Sequence, residues 1–146
     1  MKKIVLVLFL VSTGLYAQRP NQDRMKAFKT AYLTDQLDLT SSEAEKFWPI
    51  YNYFENKLKS LRKKERSEVF SKVRNGGIEA LTDSEAIALI DKMLEMKTTE
   101  LQYRKELVKD LLKVLSPKKI IKLNRAEEEF KKILLERLKQ HRGKRN

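Results

Sequence analysis

Leu39-Thr40-Ser41-Ser42-Glu43, Leu81-Thr82-Asp83-Ser84-Glu85 and Leu115-Ser116-Pro117 are three helix starts in one grammar. In the first two, the Thr hydroxyl is placed to accept from the amide three residues on. The Glu at that position reaches back to the amide of the Thr, which makes a capping box. In the third, Ser116 caps and Pro117 takes the first helical position, where its missing N–H costs nothing. A chain that announces helices this often, with no segment alternating apolar and polar residues, is expected to be all-α.

Helical spacing follows each start. Phe47, Tyr51, Phe54, Leu58 and Leu61 recur every three or four residues and predict one long helix from Thr40 to about Arg74. Pro49 lies inside it and predicts a kink. Asn75-Gly76-Gly77 supplies the stop. A third helix is expected to bury Ile87, Ile90, Leu94, Leu101, Val108, Leu111 and Leu115 as one inner stripe, weakened where Lys97 and Arg104 fall on it. The fourth would bury Ile120, Leu123, Phe130, Ile133, Leu134 and Leu138, and His141 to Asn146 reads as a frayed basic tail. Before these, Met25, Phe28, Tyr32 and Gln36 predict a first helix over about Asp23–Leu37. The expected fold is an elongated hairpin of four helices, two long and two shorter. Two such rods leave apolar surface wet, so either the helices close into a bundle or a second copy completes the core. A homodimer is favoured.

The N-terminus reads differently. Met1-Lys2-Lys3 precedes a run from Ile4 to Ala17 that is mostly apolar and ends in a small residue. That describes a signal peptide cut between Ala17 and Gln18, with residues 18–146 as a single helical domain. The run is short of the roughly 20 residues a spanning helix needs; an uncleaved anchor is the competing reading. Export implies a periplasmic or secreted protein. There is no Cys, so packing alone must hold the fold.

The formal net charge is +12. Residues 41–74 carry +4 and residues 117–146 carry +7, while residues 75–116 carry −2. Such a basic chain attracts acidic proteins, anionic lipid or nucleic acid, and export sets nucleic acid aside. Catalytic chemistry has little to draw on. There is one His and no Cys, and Gly76-Gly77 lacks the strand, spacing and lysine of a phosphate loop. No catalytic residue, metal ligand or cofactor site is assigned, and an enzyme is not expected. Met93 and Met96 could offer thioethers to a soft ion, but core packing is the commoner use of such a pair. What remains is surface. The candidate docking residues are Phe47, Trp48, Tyr51 and Phe54 around Pro49, and the basic belt Arg62, Lys63, Lys64 and Arg66. Apolar patches rimmed by positive charge suit loose capture of acidic, partly unfolded chains.

The segment Leu37 through Tyr51, with Phe47-Trp48-Pro49-Ile50-Tyr51 at its centre, resembles the Spy/CpxP group of periplasmic chaperones and envelope-stress regulators, marked by Leu-Thr-x-x-Gln helix starts. It is most similar to the branch of periplasmic sensors linked to extracytoplasmic sigma factors. Two departures are plain: the motif Gln is replaced by Glu43 or Ala44 at the first start and by Lys119 at the last. The His ligands of metal-sensing relatives are missing, so metal sensing is not carried over. The resemblance implies a thin, curved, antiparallel dimer of helical hairpins that binds unfolded clients on a concave face. The function expected is an ATP-independent chaperone without cofactor. The alternative is a regulatory sensor that docks on a membrane-bound partner to control envelope-stress signalling, and a weaker third is a surface protein using its basic last helix on anionic lipid.

Overall fold

The computed structural model describes residues 19–143, all but a few of them helical. The helices are α1 (Arg19–Gln36), α2 (Ser41–Glu65), α3 (Ser71–Gly76), α4 (Asp83–Leu111) and α5 (Pro117–Gly143). A π-helical turn, Arg66–Phe70, joins α2 to α3, and a 3-10 turn, Ile78–Ala80, precedes α4. The protein is all-α with four main helical segments, and no strand occurs among the described residues. The proposed signal peptide and its Ala17–Gln18 cut lie outside them, as do residues 144–146.

The helix starts form as their sequence dictates. The Thr40 hydroxyl accepts from the Glu43 amide (3.2 Å) while Glu43 Oε2 accepts from the Thr40 amide (2.9 Å). Thr82 and Glu85 repeat the box at 3.3 and 2.9 Å. The Ser116 hydroxyl accepts from the Lys119 amide (3.3 Å), and Pro117 opens α5. Each cap satisfies amides that the first helical turn leaves without partners and contributes about 1 kcal/mol. One turn device is not visible in the sequence pattern. Between α1 and α2, Asp38 adopts a left-handed φ of 47°, a conformation Asp tolerates better than most residues.

Two details differ from expectation. The long second helix continues through Pro49 as expected, but at Arg66–Phe70 the ladder widens to π spacing instead of staying α-helical to Arg74. There the Ser67 hydroxyl donates to the Lys64 carbonyl (3.0 Å) and the Ser71 hydroxyl donates to the Ser67 carbonyl. Such side-chain competition for backbone acceptors loosens a helix locally. At the other end, α5 runs to Gly143, so helix extends through the start of the segment expected to fray. The stop after α3 is as expected, with Gly77 at a φ of 74° that favours glycine.

The chain divides into two compact units. One comprises residues 39–121. Its α2 and α4 run antiparallel: Lys57 pairs with Glu106 (3.3 Å), Glu65 with Lys97 (3.6 Å) and Glu68 with Lys92 (3.8 Å), so numbers rise along one helix as they fall along the other. Phe47, Tyr51, Phe54, Leu58 and Val69 are buried, together with Met96, Leu107, Leu111 and Leu115. Phe47 stacks on Tyr51 at 5.1 Å between ring centroids. Burying a large apolar side chain contributes about 1.5–3 kcal/mol, so these rings are the principal stabilising element of this unit. Lys119 reaches Glu43 at 2.7 Å and ties the start of α5 to the start of α2.

The other unit comprises α1 with residues 122–143 of α5. Phe28, Tyr32 and Phe130 form a ring cluster with centroids 5.3–6.4 Å apart. Arg137 lies 4.2 Å from the Phe28 ring centre, and Lys122 pairs with Asp38 (3.1 Å). Leu123 and Phe130 are buried as the spacing predicts, joined by Ala126, whereas Leu138 is exposed.

The largest correction concerns α4. Ile87, Ile90, Leu94, Leu101 and Val108, expected as its inner stripe, are all exposed. The face turned toward α2 instead carries Met96, Tyr103 and Leu107. Periodicity identifies an apolar face but does not say which neighbour covers it.

Candidate functional site

A second stripe on α2 lies beside the buried one. Tyr53, Lys57, Leu61 and Lys64 are spaced four, four and three apart, which aligns them along one edge of the helix. On α4, Lys92, Met96, Thr99 and Tyr103 are spaced four, three and four apart. The two stripes face each other across an open groove of about 470 Å³. Met96 and Leu61 line it together with the two tyrosine rings, and Lys57, Lys64 and Lys92 line it with Glu95 among them.

Those lysines sit among aromatic rings and carboxylates. Lys57 Nζ lies 4.0 Å from the Tyr103 ring centre and 5.5 Å from that of Tyr53, and it donates to Glu106 Oε2 at 3.3 Å. A cation over an aromatic face is attracted by the ring's negative quadrupole. Lys92 donates to Glu95 (2.9 Å) and sits 3.8 Å from Glu68. The Glu95 hydrogen bond is the main cause that raises the Lys92 pKa above the usual lysine value, and the same bond lowers that of Glu95. The groove is therefore apolar along its middle and ionic at the edge.

Lys92 also borders a second hollow of about 820 Å³, lined by Ser67, Glu68, Leu81, Glu85, Ala88 and Leu89. The two hollows share Lys92 and follow one another along α4 from Tyr103 toward Leu81, and together they make up the trough. At 1.5 Å per helical residue that path is about 33 Å. It matches an extended peptide of about ten residues at roughly 3.3 Å each.

The residues singled out from the sequence divide into three groups. Leu39, Thr40, Glu43, Leu81, Thr82, Glu85, Leu115, Ser116 and Pro117 build helix starts; of these, Glu43 also holds Lys119, Leu81 and Glu85 also line the second hollow, and Leu115 is core. Phe47, Tyr51 and Phe54, expected as docking surface, are buried at 0, 1 and 3% exposure, and Trp48 is half-buried with its edge against Phe47 (4.9 Å) and Tyr51 (5.6 Å). Their rings are spent on the core of this unit. Arg62, Lys63 and Arg66 are exposed as a belt, and Lys64 alone of that set lines the groove. Tyr53, Lys57, Met96 and Tyr103 escaped the docking-surface prediction. The signal for them was present: a second set of three-and-four spacings offset from the dominant stripe.

Met93 and Met96 do not act as a pair, since Met96 is buried and Met93 exposed. No cluster of three or more His, Cys, Asp or Glu side chains able to hold a metal occurs among the described residues. None of the described helices is long and apolar enough to cross a membrane. The chain matches no family model, no curated protein and no solved structure.

Proposed function

We propose that this protein is an ATP-independent chaperone of the cell envelope that binds non-native polypeptide, in extended form, along the α2–α4 trough. The observation that carries this reading is the groove itself: an apolar floor of Leu61, Met96, Tyr53 and Tyr103 under a rim of Lys57, Lys64 and Lys92. An unfolded segment offers apolar side chains at alternate positions with acidic groups between them, and this surface complements both. The belt of Arg62, Lys63 and Arg66 beside it adds long-range attraction, which speeds encounter more than it strengthens the complex. The groove is shallow enough to take a few side chains at a time, so binding is weak and indifferent to sequence. Release then needs no nucleotide.

The test is suppression of light scattering from an unfolding acidic client by the purified chain. Reversing Arg62, Lys63, Lys64 and Arg66 to Glu should weaken capture strongly at low salt and less at high salt, because the attraction is screened. Tyr53→Ser, at a side chain already exposed in the free protein, should weaken it at every salt concentration. A chain that suppresses no scattering under any condition sinks the chaperone reading. The groove would then serve a folded partner, as in a regulatory sensor.

A further inference from the structure

The α2–α4 seam is packed unevenly along its length. At the end holding the α2 start, Phe47, Tyr51, Phe54 and Leu58 are buried on α2, and Leu107 and Leu111 on α4. From Lys59 through the turn to Glu106, Val69 and Met96 are the buried side chains among the described residues. The hollows of about 470 and 820 Å³ are lined mainly from this stretch. Facing atoms there lack the contacts that hold a close-packed seam. Charge bridges the gap instead: Glu65 reaches Lys97 at 3.6 Å and Glu68 reaches Lys92 at 3.8 Å. Three of those four groups also have a partner on their own side of the seam. Lys97 lies nearer Glu100 (3.4 Å), Lys92 lies nearer Glu95 (2.9 Å), and Glu68 has Lys64 at 3.9 Å. The cross-links can therefore part without leaving those ions alone, and partly exposed pairs of this kind each contribute little.

The helix that carries both lysines has a weak point beside them. Thr98 and Thr99 are adjacent, and their hydroxyls donate to the Leu94 and Glu95 carbonyls, each at 3.0 Å. Threonine hydroxyls that share a carbonyl with the helical ladder loosen and bend a helix. We infer that residues 83–97 form an ionic clasp. Rising salt releases this half of α4 from α2 and the π-helical turn, about a hinge at Thr98–Thr99, while the end packed around Phe47 stays shut. Screening supplies the drive, since the Debye length falls from about 10 Å at 0.1 M salt to about 3 Å at 1 M. The connecting segment is free to follow, through the widened ladder at Arg66–Phe70 and through Gly77 at a φ of 74°. Ser84 lies about 21 Å from Thr98 at 1.5 Å per residue, so a bend of about 20° carries it about 7 Å. Opening joins the two hollows and bares Met96 and Leu61. Salt that screens the basic belt thus enlarges the apolar surface beside it. The clasp stands whether or not that surface binds polypeptide.

The chain contains no cysteine, so distances across the seam can be read with introduced labels. Ser60→Cys with Ser84→Cys, both at exposed and uncharged positions, sets spin labels on either side of the clasp. Asn52→Cys with Val108→Cys sets them at the closed end. Pulsed dipolar spectroscopy on the full chain compares about 0.1 M with about 1 M sodium chloride. The first pair should gain a population at least about 5 Å longer in high salt, with the second pair unchanged. A first pair that does not lengthen, or two pairs that lengthen equally, would overturn the clasp. Glu65→Gln with Glu68→Gln, added to the first pair, should show the longer population already at low salt, with far-UV circular dichroism unaltered. A seam that stays shut and keeps its full salt response would refute the ionic hold. Thr98→Ala with Thr99→Ala removes the hydroxyls and installs the best helix former, so the displacement should shrink. An undiminished displacement would overturn the hinge.

Discussion

Helices α2 and α4 lie antiparallel along one another, yet they treat their apolar residues in opposite ways. In α2 the dominant stripe, Phe47, Tyr51, Phe54 and Leu58, is buried, and the residues beside it form the trough wall. In α4 the dominant aliphatic stripe faces outward, and the side toward α2 is a mixed surface of Met96, Thr99, Tyr103 and Leu107. A helix with one apolar face is satisfied by one neighbour. A helix with two nearly opposed faces needs two, and the described part of this chain supplies α4 with only one. The difference divides labour: α2 anchors its unit, while α4 turns one face to the trough and keeps an aliphatic face exposed.

That contrast can be broken most directly by truncating one residue from each helix. Phe47→Ala should cost about 3–5 kcal/mol of unfolding free energy, the range for losing a fully buried ring. Leu94→Ala, measured by denaturant, should change stability by less than about 0.5 kcal/mol, because that side chain is exposed. Comparable losses at both sites would mean that α4 is covered within one chain.

A smaller effect tests whether the two helices begin with equal firmness. Thr40→Ala and Thr82→Ala should each destabilise by about 1 kcal/mol, because both boxes have the same bonds. Thermal unfolding of each single variant would show it, and a cost confined to one of them would mark the other box as dispensable.

Smaller still in stability, Lys57→Met should lower it by no more than about 1 kcal/mol, since it removes a half-exposed ion pair and a cation over Tyr103. Its effect on client capture at low salt should be plainly larger than its effect on unfolding. If the two move together, Lys57 is only structural.

The least effect is expected at Glu43. The hydrogen bond from Lys119, followed by that from the Thr40 backbone, holds its carboxyl below the usual value of 4.5. A carboxyl depressed in the folded state stabilises above its unfolded pKa, and the benefit is lost as pH falls through the folded value. Glu43→Gln should therefore flatten the acid limb of a melting-temperature profile slightly below about pH 4.5 and leave neutral pH nearly unchanged, since Gln also serves in a capping box. A marked loss at neutral pH would show that the ionic link to Lys119 matters more than the cap.

Much of this was legible beforehand because it is local. Thr40, Thr82 and Ser116 bond amides three residues away, so a short window of sequence contains both partners. The stop at Gly77 follows from its own backbone freedom. The buried stripe of α2 was legible because aromatic rings at strict helical spacing dominate every competing face. What escaped was whatever depended on a second helix. The groove required Tyr53 to be seen beside Tyr103, fifty positions along the chain. The exposed stripe of α4 looked like core because Ile, Leu and Val carry most of the apolar surface of that helix. Phe47 and Tyr51 looked like docking surface only while nothing was known to cover them.

By itself, the sequence determined that this chain is helical, where α2, α4 and α5 begin, and which of their faces are apolar. Those properties follow from hydrogen bonds and side-chain spacing within a few residues. Only the tertiary structure decided which apolar face of α4 meets α2 and which stays open, and that the aromatic segment near Pro49 forms core. Those outcomes depend on the pairing of distant segments, where packing selects among faces that local physics leaves nearly equal.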